Sequence, residues 1–269
     1  MGNKEEQAAH ERCVLQIAKH FVDTADIRSF YGFSQSDIEA LKESFRDLDQ
    51  NSETKFPDFS NSHACVELFA VSSSECIRHG GPTQMMQDGK LRDQIKRDDS
   101  VAMEEGNQSV RSYARIHPNH SYNNFCKSFR KGFDKHLKSL QEAERDFATV
   151  VFVVEYPECD LECAFMPDVD INCDGLTMGD LAPVYADGKT HGLYRLSRDR
   201  ENLLWLANNA SAVDYVVFIG VGRAEAINIH EAGTVAAFLP WRLLAIGNIS
   251  ITLAESSFMP CIVGGPSNE

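Results

Sequence analysis

Apolar residues recur along this chain with two different periods, and the switches between them outline its elements. From 4 to 22, Ala8, Val14, Leu15, Ala18, Phe21 and Val22 fall near helical spacing, which predicts a helix. A second helix is predicted over 34–48, capped by Ser34 or Ser36 and striped by Ile38, Leu41, Phe45 and Leu48. The polar stretch 49–55 reads as a turn or a poorly formed strand. A short strand at 56–59 and a firmer one at 63–71 follow. The strongest helical pattern spans 121–144, where Phe125, Phe129, Phe133, Leu137 and Leu140 share one face. Segments 148–155 and 213–221 are near-continuous apolar runs rich in valine, as in strands covered on both faces. A helix at 199–209 precedes the second of these runs, and 238–254 adds one or two further strands. Between 72 and 120 the pattern lapses into Gly80-Gly81-Pro82, a charge-rich segment and His117-Pro118. This reads as an inserted loop with one helix near 84–97. With no internal repeat and no obvious linker, the expectation is a single α/β domain over 1–269, a mixed central sheet flanked by helices.

Composition adds exclusions. Apolar residues make up 43% and charged residues 25%, as in ordinary globular chains. No apolar run approaches the roughly 20 residues that span a bilayer. The opening residues are polar and charged, unlike a signal peptide, and Glu6 stands where myristoylation requires Ser or Thr. A cytoplasmic protein with no membrane partner is therefore expected. Its eight cysteines read as reduced, mostly buried thiols. A formal charge of −14 argues against a surface that coats nucleic acid nonspecifically. It leaves room for a local basic stripe, or for a site where a metal ion offsets carboxylates.

The chemistry concentrates in two short strands. Asp58 ends the first and Glu67 lies within the second, nine residues on. Strands joined by a short turn bring two such carboxylates together, and a divalent cation such as Mg²⁺ compensates their pooled charge. At Phe56-Pro57-Asp58-Phe59 and Val66-Glu67-Leu68-Phe69 the chain resembles the PD-(D/E)XK nuclease superfamily. That superfamily's signature is Pro-Asp, a short spacer, then Asp or Glu, any residue and Lys, on adjacent strands. The resemblance covers roughly residues 4–155 and implies a restriction-endonuclease-like core, α-β-β-β-α-β. Residues 72–120 would be an insertion in it and 156–269 a C-terminal extension of unassigned role. It also implies Mg²⁺ or Mn²⁺ held by Asp58 and Glu67, with Glu11 (or Glu6) adding a carboxylate from the first helix. The implied activity is metal-dependent phosphodiester hydrolysis, with nucleic acid as partner, DNA before RNA. Assembly into a homo-oligomer is left open.

One position departs from the signature. Side chains alternate along a strand, so 67 and 69 share a face, and Phe69 stands where the family has its lysine. In some relatives that lysine sits on the following helix, where this chain offers Lys127, Arg130, Lys131, Lys135 and Lys138. Lys127, Lys131, Lys135 and Lys138 form one stripe, and Lys131 lies about 200° round the helix from Phe129. A stripe opposite the apolar face suits phosphate-backbone contact through Lys127, Arg130 and Lys131. Only Lys135 and Lys138, at the far end, remain placed for a catalytic role beside Asp58 and Glu67. Gln141 is similar to a glutamine common on this helix in the family. Two other readings stay open: a nuclease-like core that has lost catalysis and serves as a binding or regulatory module, and an unrelated α/β fold in which the pair is incidental.

Other motifs read more plainly. Asp170-x-Asn172-x-Asp174-Gly175 opens like a calcium loop, but Leu181 occupies its twelfth position, leaving an acidic surface loop. Cys159, Cys163 and Cys173 lack zinc spacing and a fourth ligand. Gly220-x-Gly222 after a strand begins a dinucleotide fingerprint without its third glycine, so a turn is expected. His79, His117 and His120 read as surface residues.

Overall fold

The computed structural model describes residues 2–51, 56–76, 83–105, 109–116, 120–143, 147–158, 161–167, 191–239, 241–247 and 251–258. In chain order the elements are α1 (Gly2–Thr24), β1 (Phe30–Tyr31), α2 (Gln35–Ser44), β2 (Asp49–Gln50), β3 (Phe59–Ser60), β4 (Ala64–Ala70), α3 (Thr83–Glu105), β5 (Ser109–Ile116) and α4 (Tyr122–Gln141). They continue with β6 (Thr149–Glu155), β7 (Leu161–Pro167), β8 (His191–Leu193), α5 (Arg200–Asn209), β9 (Tyr215–Gly220), β10 (Arg223–Asn228), α6 (Ala232–Ala237), β11 (Trp241–Gly247) and β12 (Ile251–Phe258). None of the described helices is long and apolar enough to cross a membrane.

Contacts divide the chain into two compact units, where the sequence suggests one domain. The first joins Met1–Ser73 to Ser121–Gly247, and the second joins Ser74–His120 to Asn248–Glu269. In the second unit β5 pairs antiparallel with β12. The stretch expected as a loop with one helix thus also supplies a strand, whose partner lies at the far end of the chain.

The first unit is built on a seven-stranded mixed sheet, ordered β1-β10-β9-β6-β4-β3-β2. Its centre, β4-β6-β9, is parallel. Alternation along β6 explains why both faces are covered: Val151 and Val153 point one way, Val150, Phe152 and Val154 the other. The first set meets α1 and α2 through Val14, Ala18, Ile38 and Leu41, and the second meets α4 and α5 through Phe129, Phe133, Leu203 and Leu206. Ser34 caps α2 in a reciprocal capping box with Asp37. The sheet does not end at residue 155, because β9 and β10 complete it from the stretch expected to be an extension. A small antiparallel sheet, β11-β7-β8, belongs to the same unit.

The helices on the α4 side are tied by a buried carboxylate. Asp199 is 1% exposed and caps α5. It accepts hydrogen bonds from Tyr122 Oη (2.7 Å), Tyr194 Oη (2.6 Å), Asn202 N (3.1 Å) and Asn202 Nδ2 (2.7 Å). Arg130, expected in the nucleic-acid stripe, donates from Nε to Asn202 Oδ1 at 3.2 Å.

Several minor motifs resolve at this level. Gly220 ends β9 and Gly222, at φ 67°, lies in the turn of the antiparallel hairpin to β10. A dinucleotide fingerprint needs a strand running into a helix, so the turn reading holds. Cys163 is buried. His120 is buried rather than on the surface, and pairs in an isolated bridge with Ser74. The acidic segment 170–181, Cys159, Cys173, His79 and His117 lie outside the described residues.

Candidate active site

Asp58 immediately precedes β3 instead of ending a strand, and the pairing of β3 with β4 fixes what it meets. Phe59 pairs with Val66, so one further step in that register sets Asp58 opposite Glu67. Each carboxylate then takes a backbone N–H from the other's segment. Asp58 N donates to Glu67 Oε2 at 2.9 Å, and Leu68 N donates to Asp58 Oδ2 at 2.8 Å. This reciprocal clasp holds both side chains where the segment before β3 meets β4. Beside them opens a cavity of about 460 Å³, lined among others by Glu11, Asp58, Glu67, Phe69, Lys135 and His136. Ala70 and Glu155, the last residues of the parallel strands β4 and β6, also border it. The crevice beyond the carboxyl ends of such strands is where open α/β sheets bind ligands.

The expected residues divide cleanly. Glu11 reaches the cavity from α1, where its Oε1 accepts from Gln7 Nε2 at 3.0 Å. Lys135 reaches it from α4, although its stripe lies largely on the solvent side of that helix. Lys138 does not line the cavity; its side chain is 74% exposed and sits 3.8 Å from Glu142. Lys127, Lys131 and Gln141 are exposed and do not line it either.

His136 is absent from the sequence expectations. Its Nδ1 donates to Glu67 Oε1 at 2.6 Å, and the two side chains are only 12% and 7% exposed. The available signal was positional: His136 follows Phe133 by three and Phe129 by seven, a polar residue on the apolar stripe. Phe69 shares its strand face with Glu67 and stacks on the His136 ring, centroids 4.7 Å apart and planes 10° apart. Cys65, on that same face, is no nucleophile. Burial, and then Glu67, push its thiol up to about 12.

The site is short of positive charge. Burial, then the Glu67 carboxylate, raise the acid of Asp58 to about 7; the Leu68 N–H opposes this, Glu11 adds to it and Lys135 opposes it. Folded Asp58 thus holds its proton more tightly than the unfolded chain does. Stability from this group is complete below the ordinary value of 3.8 and drains away as pH rises toward 7. Asp58→Asn, which keeps an acceptor for Leu68 N, should therefore stabilise the metal-free protein at pH 8 by about 1–3 kcal/mol. It should also flatten the fall in stability between these two pH values. Urea unfolding across pH checks this; a variant no more stable than wild type at pH 8 would refute it.

Two carboxylates converging in a half-buried crevice fit a hard divalent cation, since Mg²⁺ is commonly held by one or two carboxylates together with waters and substrate phosphate. A closed protein cage is not formed, because among the described residues no three His, Cys, Asp or Glu side chains gather round one point. No protein-family model, no curated protein and no solved structure matches the chain.

Proposed function

We propose that this protein is a metal-dependent phosphodiesterase acting on nucleic acid, of the PD-(D/E)XK kind. The observation carrying this reading is that Asp58, Glu67, Glu11 and Lys135, from separate elements, line one cavity at the strand ends. Asp58 and Glu67 would hold Mg²⁺ or Mn²⁺, and Glu11 would add an outer carboxylate. A bound divalent ion would supply Lewis-acid polarisation of a phosphoryl oxygen and a more acidic water. Lys135 contributes fixed positive charge facing the phosphate, the task the missing strand lysine has in relatives. Helix α1 and the residues before β3 wall the crevice. Four carboxylates line the cavity (Glu11, Asp58, Glu67 and Glu155) against one lysine. A polyanionic backbone should therefore engage only with the metal present, DNA before RNA.

The test is direct. Purified protein is incubated with single- and double-stranded DNA and RNA, with Mg²⁺, with Mn²⁺ and with a chelator, beside Asp58→Ala. Cleavage by wild type that needs the metal and disappears in the variant supports the proposal; equal cleavage by both proteins marks contamination and removes it. Phe69 at the lysine position favours one other reading, a nuclease-like core that binds without cutting. Saturable nucleic-acid binding without cleavage under any of these conditions would select that reading.

A further inference from the structure

The geometry points to His136 as the residue that positions Glu67 in this site, with Phe69 as the platform that holds the imidazole. The inference rests on the metal-holding role proposed above for Asp58 and Glu67. Two neighbouring residues of α4 serve the site differently: Lys135 brings charge to the cavity, and His136 holds Glu67.

The arrangement is built from both sides. On β4, Cys65, Glu67 and Phe69 project toward α4, so the ring at 69 occupies the space a strand lysine would cross. On α4, residues one turn apart share a face, and Gly132 and His136 are so related. Gly132 leaves the opening that the ring needs: a Cβ there would lie 2.8 Å from Phe69 Cε2 and 2.9 Å from Cδ2. Phe133 and Phe152 make edge contacts to Phe69, centroids 5.3 Å and 5.9 Å away. The half-buried phenyl ring is braced on the protein side, and the imidazole stacks parallel to it. There Nδ1 meets Glu67 Oε1, while Asp58 N meets Oε2. Each oxygen of Glu67 thus has one donor, and each keeps capacity to accept another contact from the cavity. Hydrogen bonds that orient a metal-binding carboxylate in this way are part of the affinity of a metal site.

A histidine that merely packs in the core would affect stability and nothing else. The distinguishing measurement is calorimetric titration of Mn²⁺ into the full chain at neutral pH, which needs no substrate. Asp58→Ala should lose binding. His136→Leu, which keeps the packing and removes the donor, should weaken it about 10–100-fold. His136→Asn, whose amide can present a donor where Nδ1 was, should recover most of that loss. If His136→Leu binds as tightly as wild type while Asp58→Ala does not, the positioning role is wrong and the metal reading stands. If wild type binds no Mn²⁺, or Asp58→Ala binds it unchanged, both fall. Independently of whether any His136 variant folds, the metal-free wild type should show a downfield, exchange-protected imidazole Nδ1–H proton that vanishes in Glu67→Ala, which removes the acceptor. Its absence from wild type would also overturn the proposal.

Discussion

Glu67→Ala should bring metal-dependent cleavage down to background, and Lys135→Ala should lower it by about 10²–10³-fold, the usual cost of removing one preorganised group that faces developing charge. Lys138→Ala, three residues further along the same helix, should change the rate by less than about twofold, as expected for an exposed ion pair. The contrast follows from placement. Both are exposed, but Lys135 lines the cavity and favours the ionised form of Asp58, whereas Lys138 lies beside Glu142. Nothing in their chemistry distinguishes the two lysines. Single-turnover rates at saturating Mn²⁺ separate the chemical step from binding. If Lys138→Ala proved the more damaging, or both lysines proved dispensable, the charge facing the phosphate would have to come from elsewhere and the assignment of Lys135 would be lost. Glu67→Ala also removes the acceptor for Asp58 N, so its folding should be checked by its urea transition before its rate is interpreted.

Periodicity made much of the first unit legible. The Phe125-Phe129-Phe133-Leu137 stripe is the buried face of α4, and the valine-rich runs are the central strands β6 and β9. Both signals arise from burial, which writes itself into local sequence. The Asp58–Glu67 juxtaposition was legible for a related reason: a tight antiparallel turn places neighbours in sequence opposite one another. What escaped depended on distant partners. Strand β10 carries the mixed run RAEAIN, and its place is set by pairing with β9 and with the two-residue strand β1. Strand β5 gains its partner from β12, far along the chain. His136 carries little local signal, because one polar residue on an apolar helix stripe takes its meaning from Glu67, 69 residues away. The structure places its imidazole beside Glu67, stacked on Phe69, the residue at the lysine position. Arg130, a basic residue read beside the lysine stripe, donates from Nε to the buried Asn202, a partner 72 residues away that no local pattern encodes.

That network supports the second large prediction: Asp199→Ala should destabilise the first unit by about 3–5 kcal/mol, the cost of leaving buried polar partners stranded. Burial raises the acid of Asp199 above its ordinary value, and the hydrogen bonds from Tyr194, Tyr122 and Asn202 oppose the shift. The tyrosines respond in kind: burial, then Asp199, push both phenols above their ordinary range, so they remain protonated donors. Removing the carboxylate takes the acceptor from two phenolic O–H groups and a backbone N–H at the start of α5, and leaves Asn202 Nδ2 with Cys126 Sγ as its partner. Asp199→Asn keeps one acceptor oxygen and one α5 cap, and should cost about half as much. Urea midpoints at unchanged slope would read both changes. A loss below about 1 kcal/mol for the alanine variant, within the range of an ordinary surface substitution, would sink the argument. The consequence reaches the site as well. Tyr122 begins α4, the helix that carries Lys135 and His136 to the cavity. Loosening its first turn should lower Mn²⁺ affinity even where the variant stays folded, which links the carboxylate under the helices to the pair at the strand ends.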